Sequence, residues 1–267
     1  MPIMGIEKGR YNAAMSEWLH YIPFVCVLCL GMFVQSAAGF GAGLLTIPVL
    51  MWLGYSIPEA QTSLLVATVP QNLWGVWVLR DSIPVSKVAV PGLSRIAFVP
   101  IGIAALKMLE SLSAVVLRQC VGGIVLVVTI TIMVFNPKPR HKLHPVWAWL
   151  AFPTSGFLQG IVGMGGPPMV FWVQSHDWNT RQTRGFLFAA YLISLFPALG
   201  LLYYSFGNRI IGPGLASIAT TPLLLLSTFV GLKFGTWLGR KRLRRITLAM
   251  LLLVGLVGLA APLLSQT

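Results

Sequence analysis

Two apolar segments of this chain are each interrupted in the middle by a short glycine-rich sequence. The first break is G-F-G-A-G (Gly39–Gly43) within the apolar run Tyr21–Leu53, and the second is G-M-G-G-P-P (Gly163–Pro168) within Val146–Val173. The first run is too long for one membrane span of about 20 residues and too short for two. Non-helical backbone at membrane depth is stable only where it faces protein or a wet cavity. The breaks therefore indicate a helical membrane protein with an internal polar region.

The remaining sequence also fits a membrane rather than an aqueous environment. Hydrophobic residues make up 56% of the 267 residues and charged residues 9%, with a mean hydropathy of +0.81, whereas a soluble domain carries about a quarter charged residues. We therefore predict an all-α polytopic membrane protein with eight long spans, or ten if the arms of each broken segment are counted separately. The further predicted spans are Ala60–Leu79, Val88–Met108, Ala114–Phe135, Gly185–Phe206, Gly214–Leu238 and Ile246–Leu264.

The two halves of the chain are related by an internal duplication. Q-S-A-A-G-F-G at Gln35–Gly41 matches Q-G-I-V-G-M-G at Gln159–Gly165, 124 residues further on, and a polar junction follows each break at Ser56–Ser63 and Trp178–Gly185. Repeats of this kind place the substrate site of many transporters where broken helices meet. The predicted organisation is a polar N-terminal segment (1–18), a first transmembrane repeat (19–135), a basic linker loop (136–145) and a second transmembrane repeat (146–264).

The basic residues indicate how the repeats are oriented. If each broken segment folds back as a hairpin, the halves are inverted, with twelve Lys and Arg residues on the inner side and five on the outer side. If each segment crosses once, the numbers are nine and eight. Because Lys and Arg concentrate in cytoplasmic loops, two inverted repeats with both termini outside are favoured, each a glycine-broken short hairpin or re-entrant segment followed by three spans. The net charge of +13 is then a property of topology and does not indicate binding to nucleic acid.

A charged side chain, Arg95, lies near the middle of the predicted span Val88–Met108. A charge at this depth costs at least about 2.5–3.5 kcal/mol on insertion scales, so it normally faces a cavity or a partner. An unpaired guanidinium is a natural partner for sulfonate or carboxylate oxygens. The alternative is that Arg95 snorkels to the interface or bonds helix carbonyls. The acidic residues near the spans all lie close to span ends: Glu59, Asp81, Glu110 and Asp177.

The glycines of the breaks and the polar residues near them form a predicted substrate-binding site. Glycine lets a solute approach the backbone, and a helix that starts after a break directs free N–H groups and its positive dipole end at the gap, which favours anions. Alternatively, the glycines are close-packing residues and the polar side chains are interhelical hydrogen-bonding partners. The predicted site residues are Gln35, Gly39, Gly41, Gly43, Thr62, Ser63, Gln71, Asn72, Arg95, Gln159, Gly163, Gly165 and Gly166.

Other motifs limit the function classes that fit. The sequence has no Walker motif and no Ser-His-Asp or metal constellation at membrane depth, and the C-x-x-C of Cys26 and Cys29 lacks a second pair. We therefore predict no enzyme activity, no catalytic residue, no metal and no cofactor. The glycine ladder of Gly231, Gly235 and Gly239 predicts a close helix contact, either within the monomer or at the seam of a homodimer.

The duplicated breaks, the proline that follows them and the A-x-T-S junction (Ala60, Thr62, Ser63) resemble the TauE/SafE sulfite exporter family, also called the toluene-sulfonate uptake permeases, over about residues 20–264. The resemblance implies a transporter of sulfite, sulfonates such as sulfoacetate, or related organosulfur anions in the bacterial inner membrane. The chain departs from the family pattern at Ala42 in the first break, at Pro167 and Pro168 in the second, and at Arg184 and Gly185 in the second junction.

Residues and resemblance together predict a multi-pass secondary transporter of the bacterial inner membrane that exports a small sulfur oxyanion or organosulfonate. Export of a monoanion from a negative-inside cell is downhill by about 2.3 kcal/mol per 100 mV, so it needs no coupling ion. The expected partners are the small anionic substrate and the lipid bilayer, and no nucleic acid. The alternatives are a transporter of another small organic anion, such as a carboxylate, and a non-transporting membrane scaffold.

Overall fold

The structure is a computed structural model that describes residues 21–37, 40–83, 85–134, 143–238 and 240–260. Within these ranges the chain is built from α-helices joined by short turns. The polar N-terminal segment, most of the basic linker loop, Gly39 and Gly239 lie outside the described residues.

Each half of the chain begins with two helices that flank its glycine break. The first half contains α1 (Tyr21–Ala37), α2 (Ala42–Trp52), α3 (Ile57–Leu79), α4 (Val85–Leu109) and α5 (Ala114–Val134). The second half contains α6 (Val146–Val162), α7 (Gly166–Gln174), α8 (Thr180–Phe206), α9 (Ile211–Ala219), α10 (Thr221–Leu238) and α11 (Arg240–Leu259). Single 3₁₀ turns follow α3 at Arg80–Ser82 and α8 at Gly207–Ile210.

The helices differ in length from the predicted spans. In the described ranges, three helical segments are long and apolar enough to cross a membrane: Lys87–Leu109, Ala114–Val134 and Arg181–Ala219. The helical membrane class is thus confirmed in the described ranges, whereas the number of crossings, eight or ten with the arms of each broken segment counted separately, stays a prediction. Five further apolar helices are shorter: Tyr21–Ala37, Ala42–Trp52, Val146–Val162, Thr221–Gly235 and Arg245–Leu259.

Two local causes account for the difference. The predicted span Gly214–Leu238 is divided at Thr220 into α9 and α10, and Pro222 lies in the first turn of α10, where proline is tolerated although it cannot continue a preceding helix. Helix α3 has 23 residues, which is long enough for a span. Its amide and hydroxyl side chains make it less apolar than the three long segments named above.

Matching caps fix the starts of α3 and α8. The backbone N–H of Ser56 donates to the carboxylate of Glu59 at 2.7 Å. At the other junction, the backbone N–H of Gln182 donates to Asn179 Oδ1 at 2.8 Å, and the N–H of Asn179 donates back to Gln182 Oε1 at 3.2 Å. Such capping boxes satisfy N–H groups that a helix start leaves free. They position the two helices that carry polar residues to the centre of the molecule.

Each short helix after a break folds back along the helix before it. The ring of Phe24, near the start of α1, lies 5.1 Å from the ring of Tyr55, which follows the end of α2. In the second half, the ring of Phe152 on α6 lies 5.0 Å from that of Trp172, near the end of α7. Contacts between these parts of consecutive helices require antiparallel packing. Each broken segment is therefore a helical hairpin rather than one interrupted span.

The two halves interlock through equivalent contacts. Gly102 on α4 lies directly against the carbonyl oxygen of Phe157 on α6, and Gly231 on α10 lies 2.5 Å, measured from an added Cβ, from that of Phe33 on α1. Phe33 and Phe157 are separated by the 124 residues of the duplication. The first helix of each half thus packs on the other half, on the helix that carries the equivalent glycine.

The same contact explains the C-terminal glycine ladder. A Cβ on Gly235 would lie 2.8 Å from the carbonyl oxygen of Ala37 on α1, so Gly231 and Gly235 both allow α10 to approach α1 within one chain. The predicted close helix contact is thus found within the monomer at these two glycines. The homodimer through Gly231, Gly235 and Gly239 stays a prediction.

Candidate functional site

The two glycine breaks touch at the centre of the interlocked halves. A Cβ on Gly43 would lie 2.6 Å from the carbonyl oxygen of Gly163. Gly41, which precedes α2, and Gly163, which ends α6, have φ angles of +100° and +66°, a left-handed conformation that glycine adopts without steric cost. The sequence folds this way because only glycine permits both the backbone turns and the close approach.

A cavity of about 50 Å³ lies beside this contact. A water molecule needs roughly 10–15 Å³ in the same measure, so the cavity has room for a few waters or one small ion. Helices α1, α2, α3, α4, α6, α7 and α8 all contribute to its wall. The predicted site residues that line it are Gln35, Gly41, Gly43, Asn72, Arg95, Gln159, Gly163 and Gly166.

Three predicted site residues on α3 are buried away from the cavity wall. The hydroxyl of Ser63 donates to the carbonyl oxygen of Glu59 at 2.8 Å, and Nε2 of Gln71 donates to the hydroxyl of Ser36 on α1 at 2.9 Å. Thr62 is buried near the start of α3. The structure therefore places these side chains in helix packing, which was the alternative interpretation for polar residues of this kind.

Two more predicted glycines have other positions. Gly165 lies behind the cavity wall, where a Cβ would be 3.0 Å from Nη2 of Arg95. Its carbonyl oxygen accepts a hydrogen bond from the hydroxyl of Ser155. Gly165 thus leaves space for the guanidinium, while Gly39 lies outside the described residues.

Arg95 is the charged centre of the cavity. Its side chain is 1% exposed. Nη2 donates to Gln159 Oε1 at 3.0 Å and Nη1 to the carbonyl oxygen of Ala190 at 3.4 Å, while the guanidinium lies 5.1 Å from the ring centroid of Tyr191. Nε has no hydrogen-bonding partner among the described residues. Arg95 therefore faces the cavity and does not snorkel to the interface. It also donates a hydrogen bond to one helix carbonyl, so this part of the alternative interpretation applies as well.

Within the described ranges, Arg95 forms no ion pair with a carboxylate. The ion pairs found there join Arg80 to Asp81, on exposed side chains, and Arg209 to Glu59 and Glu110, on side chains that are at least partly exposed. Burying an ion costs several kcal/mol unless an opposite charge compensates it. An anion in the cavity would supply that compensation.

The N-termini of two helices lie at the cavity wall. The first N–H groups of a helix have no partner within it, and α2 contributes those of Ala42–Leu44, which line the cavity. Helix α7 contributes Gly166, but Pro167 and Pro168 have no N–H to offer. A helix end favours an anion by about 0.3–1 kcal/mol, up to ~2, which is less than the several kcal/mol associated with a buried charge. An anion in the cavity would therefore be attracted mainly by Arg95.

Three polar residues of the cavity are absent from the predicted set: Thr68, Tyr191 and Ser194. A signal for two of them is present in the sequence. Thr68 follows its helix cap, Ser56, by twelve residues, and Tyr191 follows Asn179 by the same number. Aligning the two caps would have placed both side chains on the equivalent faces of α3 and α8.

Comparison with known proteins identifies the family of this chain. The family model described as "Sulfite exporter TauE/SafE" matches residues 24–258. The "Probable sulfite/organosulfonate exporter TauE" of Cupriavidus necator is 21% identical over 233 residues, which cover 86% of this chain and 90% of that protein. No solved structure matches the chain significantly. Members of this family are transporters rather than enzymes. Because the match spans most of the sequence, the chain belongs to the TauE/SafE sulfite exporter family and is a membrane transporter.

Proposed function

We propose that this protein exports a small sulfur oxyanion or organosulfonate across the bacterial inner membrane. The observation that carries the proposal is the buried guanidinium of Arg95, which lines the cavity beside the two touching breaks and has no carboxylate partner among the described residues. A guanidinium complements the oxygens of a sulfonate or sulfite group. The family and the name of the Cupriavidus necator relative support a sulfur anion as the substrate.

We also infer that the two repeats are inverted in the membrane, with both termini outside. Three observations support this topology. Both broken segments are hairpins, which gives each half an odd number of crossings. With this topology, twelve Lys and Arg residues lie on the inner side and five on the outer side. The first helix of each half also packs on the opposite half. The cavity would then lie near the midplane, where opening towards either side alternates access to one site.

Export is the proposed direction because the charge of the substrate supplies the driving force. A monoanion leaves a negative-inside cell downhill by about 2.3 kcal/mol per 100 mV. The described residues that line the cavity include no carboxylate that would relay a coupling proton. The name of the relative also describes an exporter.

A thermal-shift screen of the purified protein tests the substrate class. Sulfite, methanesulfonate and acetate are compared at equal ionic strength, with Arg95→Ala as the reference for non-specific salt effects. A ligand that binds only the folded protein stabilises it by about 2.7 kcal/mol at 100 times its Kd. We expect Arg95-dependent stabilisation by the sulfur anions and little by acetate. Stabilisation by acetate alone would replace the sulfur anion with a carboxylate as the substrate.

A further inference from the structure

We propose that the cavity selects its substrate by charge and takes a singly charged oxyanion, such as hydrogensulfite or methanesulfonate, in preference to a dianion such as sulfate, fully ionised sulfite or sulfoacetate, which narrows the range of sulfonates that the family resemblance implies. This inference rests on the proposed function and specifies the substrate class of the same site. It follows from the charges that surround the cavity, from the relation between the two halves and from the size of the cavity.

The cavity wall contains one formal positive charge. Of the described residues that line it, Arg95 on α4 and Tyr191 on α8 are the ones that titrate, and a tyrosine phenol is neutral at ordinary pH. Helices α1, α2, α3, α6 and α7 contribute glycines, amides, hydroxyls and apolar groups to the wall. A monoanion therefore neutralises the cavity, whereas a dianion leaves one negative charge uncompensated.

The duplication does not supply a second cation. Arg95 precedes Gly102 by seven residues, and Leu224 precedes Gly231 by the same distance. Since Gly102 and Gly231 make equivalent contacts with the opposite halves, Leu224 occupies the position equivalent to Arg95. Leu224 is 1% exposed. The site thus contains a cation from the first half, Arg95, and none from the equivalent position of the second half.

The helix N-termini do not compensate a second negative charge. The N–H groups of α2 offer hydrogen bonds to anion oxygens, but α7 loses two donors to Pro167 and Pro168. A helix end carries only a partial charge. In a cavity of about 50 Å³, the ion gives up most of its water, and the cost of removing an ion from water rises with the square of its charge.

Methanesulfonate and sulfate make a matched pair of probes, because both are compact tetrahedral sulfur oxyanions and they differ by one charge. Full-length protein is reconstituted into liposomes loaded with either radiolabelled ion, and efflux is measured with the membrane potential clamped at zero. We expect methanesulfonate to leave at least about tenfold faster than sulfate, a ratio that corresponds to about 1.4 kcal/mol. Equal rates, or faster sulfate efflux, would overturn the charge selectivity while leaving the proposed export intact. Efflux of neither ion would overturn both.

Sulfite provides a second measurement, because lowering the pH converts it from the dianion to hydrogensulfite. We expect protein-dependent sulfite efflux to rise as the pH is lowered, while methanesulfonate efflux stays constant and so excludes titration of the protein as the cause. Lys107→Gln removes an exposed charge from the same helix as Arg95 and should leave the methanesulfonate-to-sulfate ratio unchanged. A sulfite efflux that is independent of pH would contradict the inference.

Discussion

Arg95 on α4 of the first half and Gln159 on α6 of the second half are joined by a hydrogen bond of 3.0 Å from Nη2 to Oε1. Gln159 belongs to the duplicated motif, and its counterpart Gln35 lines the same cavity. The position equivalent to Arg95 is occupied by Leu224. A nearly symmetric framework therefore holds an asymmetric site, with its charge fixed by a contact between the halves.

Gln159→Glu tests whether transport needs a positive charge on Arg95 that is not paired with a carboxylate. The substitution preserves size and places a carboxylate against the guanidinium, so an internal ion pair replaces the attraction for a substrate anion. We expect efflux of the sulfur anion to fall about 100-fold, equivalent to about 2.7 kcal/mol, while the melting temperature is maintained. Gln182→Glu makes the same chemical change in the capping box of α8, where either side chain serves, and should transport normally. Full activity of Gln159→Glu would exclude Arg95 as the attracting charge.

Gly43→Ala tests the contact between the two breaks. The added Cβ would lie 2.6 Å from the carbonyl oxygen of Gly163, so the hairpins must move apart and the cavity must change shape. We expect the monodisperse, folded fraction of this variant to lose most of its efflux activity. Gly200→Ala on α8 is the control, because an added Cβ there has no atom within 4 Å. If folded Gly43→Ala transports like the wild type, the glycines of the breaks are close-packing residues and the proposed role of their contact in transport is wrong.

The sequence predicts the helical class and much of the cavity, and its errors have physical causes. Gly41, Gly43 and Gly163 are recognisable because the duplication repeats their spacing, and Arg95 because a charge at membrane depth is costly. Thr62 and Ser63 look equally polar, but which face of a helix a side chain occupies depends on tertiary packing. Likewise, a hairpin and a single broken span contain the same residues, and only contacts such as that between Phe24 and Tyr55 distinguish them.

The inverted topology predicts opposite sides for two exposed turns. Asp81 follows α3 and Ser111 follows α4, and both are exposed. With the native cysteines replaced, a membrane-impermeant maleimide should label Ser111→Cys in intact cells and Asp81→Cys only after permeabilisation. Labelling of both turns from the same side would contradict the proposed topology. The native cysteines to be replaced are Cys26, Cys29 and Cys120.

We expect His176 to make a contribution to stability that is lost as the pH falls. Its ring lies 4.1 Å from that of Trp172 and 4.6 Å from that of Trp178. Burial lowers the pKa of His176 below its ordinary value of 6.5; the backbone hydrogen bond to Trp172 opposes this shift, and Lys87 reinforces it. Because the unfolded chain binds the proton at higher pH than the folded protein, the contribution is present above the unfolded pKa and is lost as the pH falls towards the folded pKa.

The pH range from about 7.5 to about 5.5 includes the pKa of His176 in the unfolded chain. Over this range, the melting temperature of His176→Gln should therefore fall less than that of the wild type. His144, which is exposed, provides the control, because His144→Gln should retain the wild-type slope. Parallel slopes for wild type and His176→Gln would show that burial of His176 does not contribute in this range.

Arg95-dependent export is tested most directly by stopped-flow efflux of methanesulfonate and sulfite from proteoliposomes with a negative-inside potential, compared among wild type, Arg95→Ala and Lys107→Ala. Lys107 lies exposed on the same helix as Arg95, so its substitution controls for the loss of a positive charge. We expect rapid efflux through the wild type and Lys107→Ala, and efflux at the level of protein-free liposomes for folded Arg95→Ala. Absence of efflux through the wild type, or full-rate efflux through Arg95→Ala, would contradict export through a site centred on Arg95.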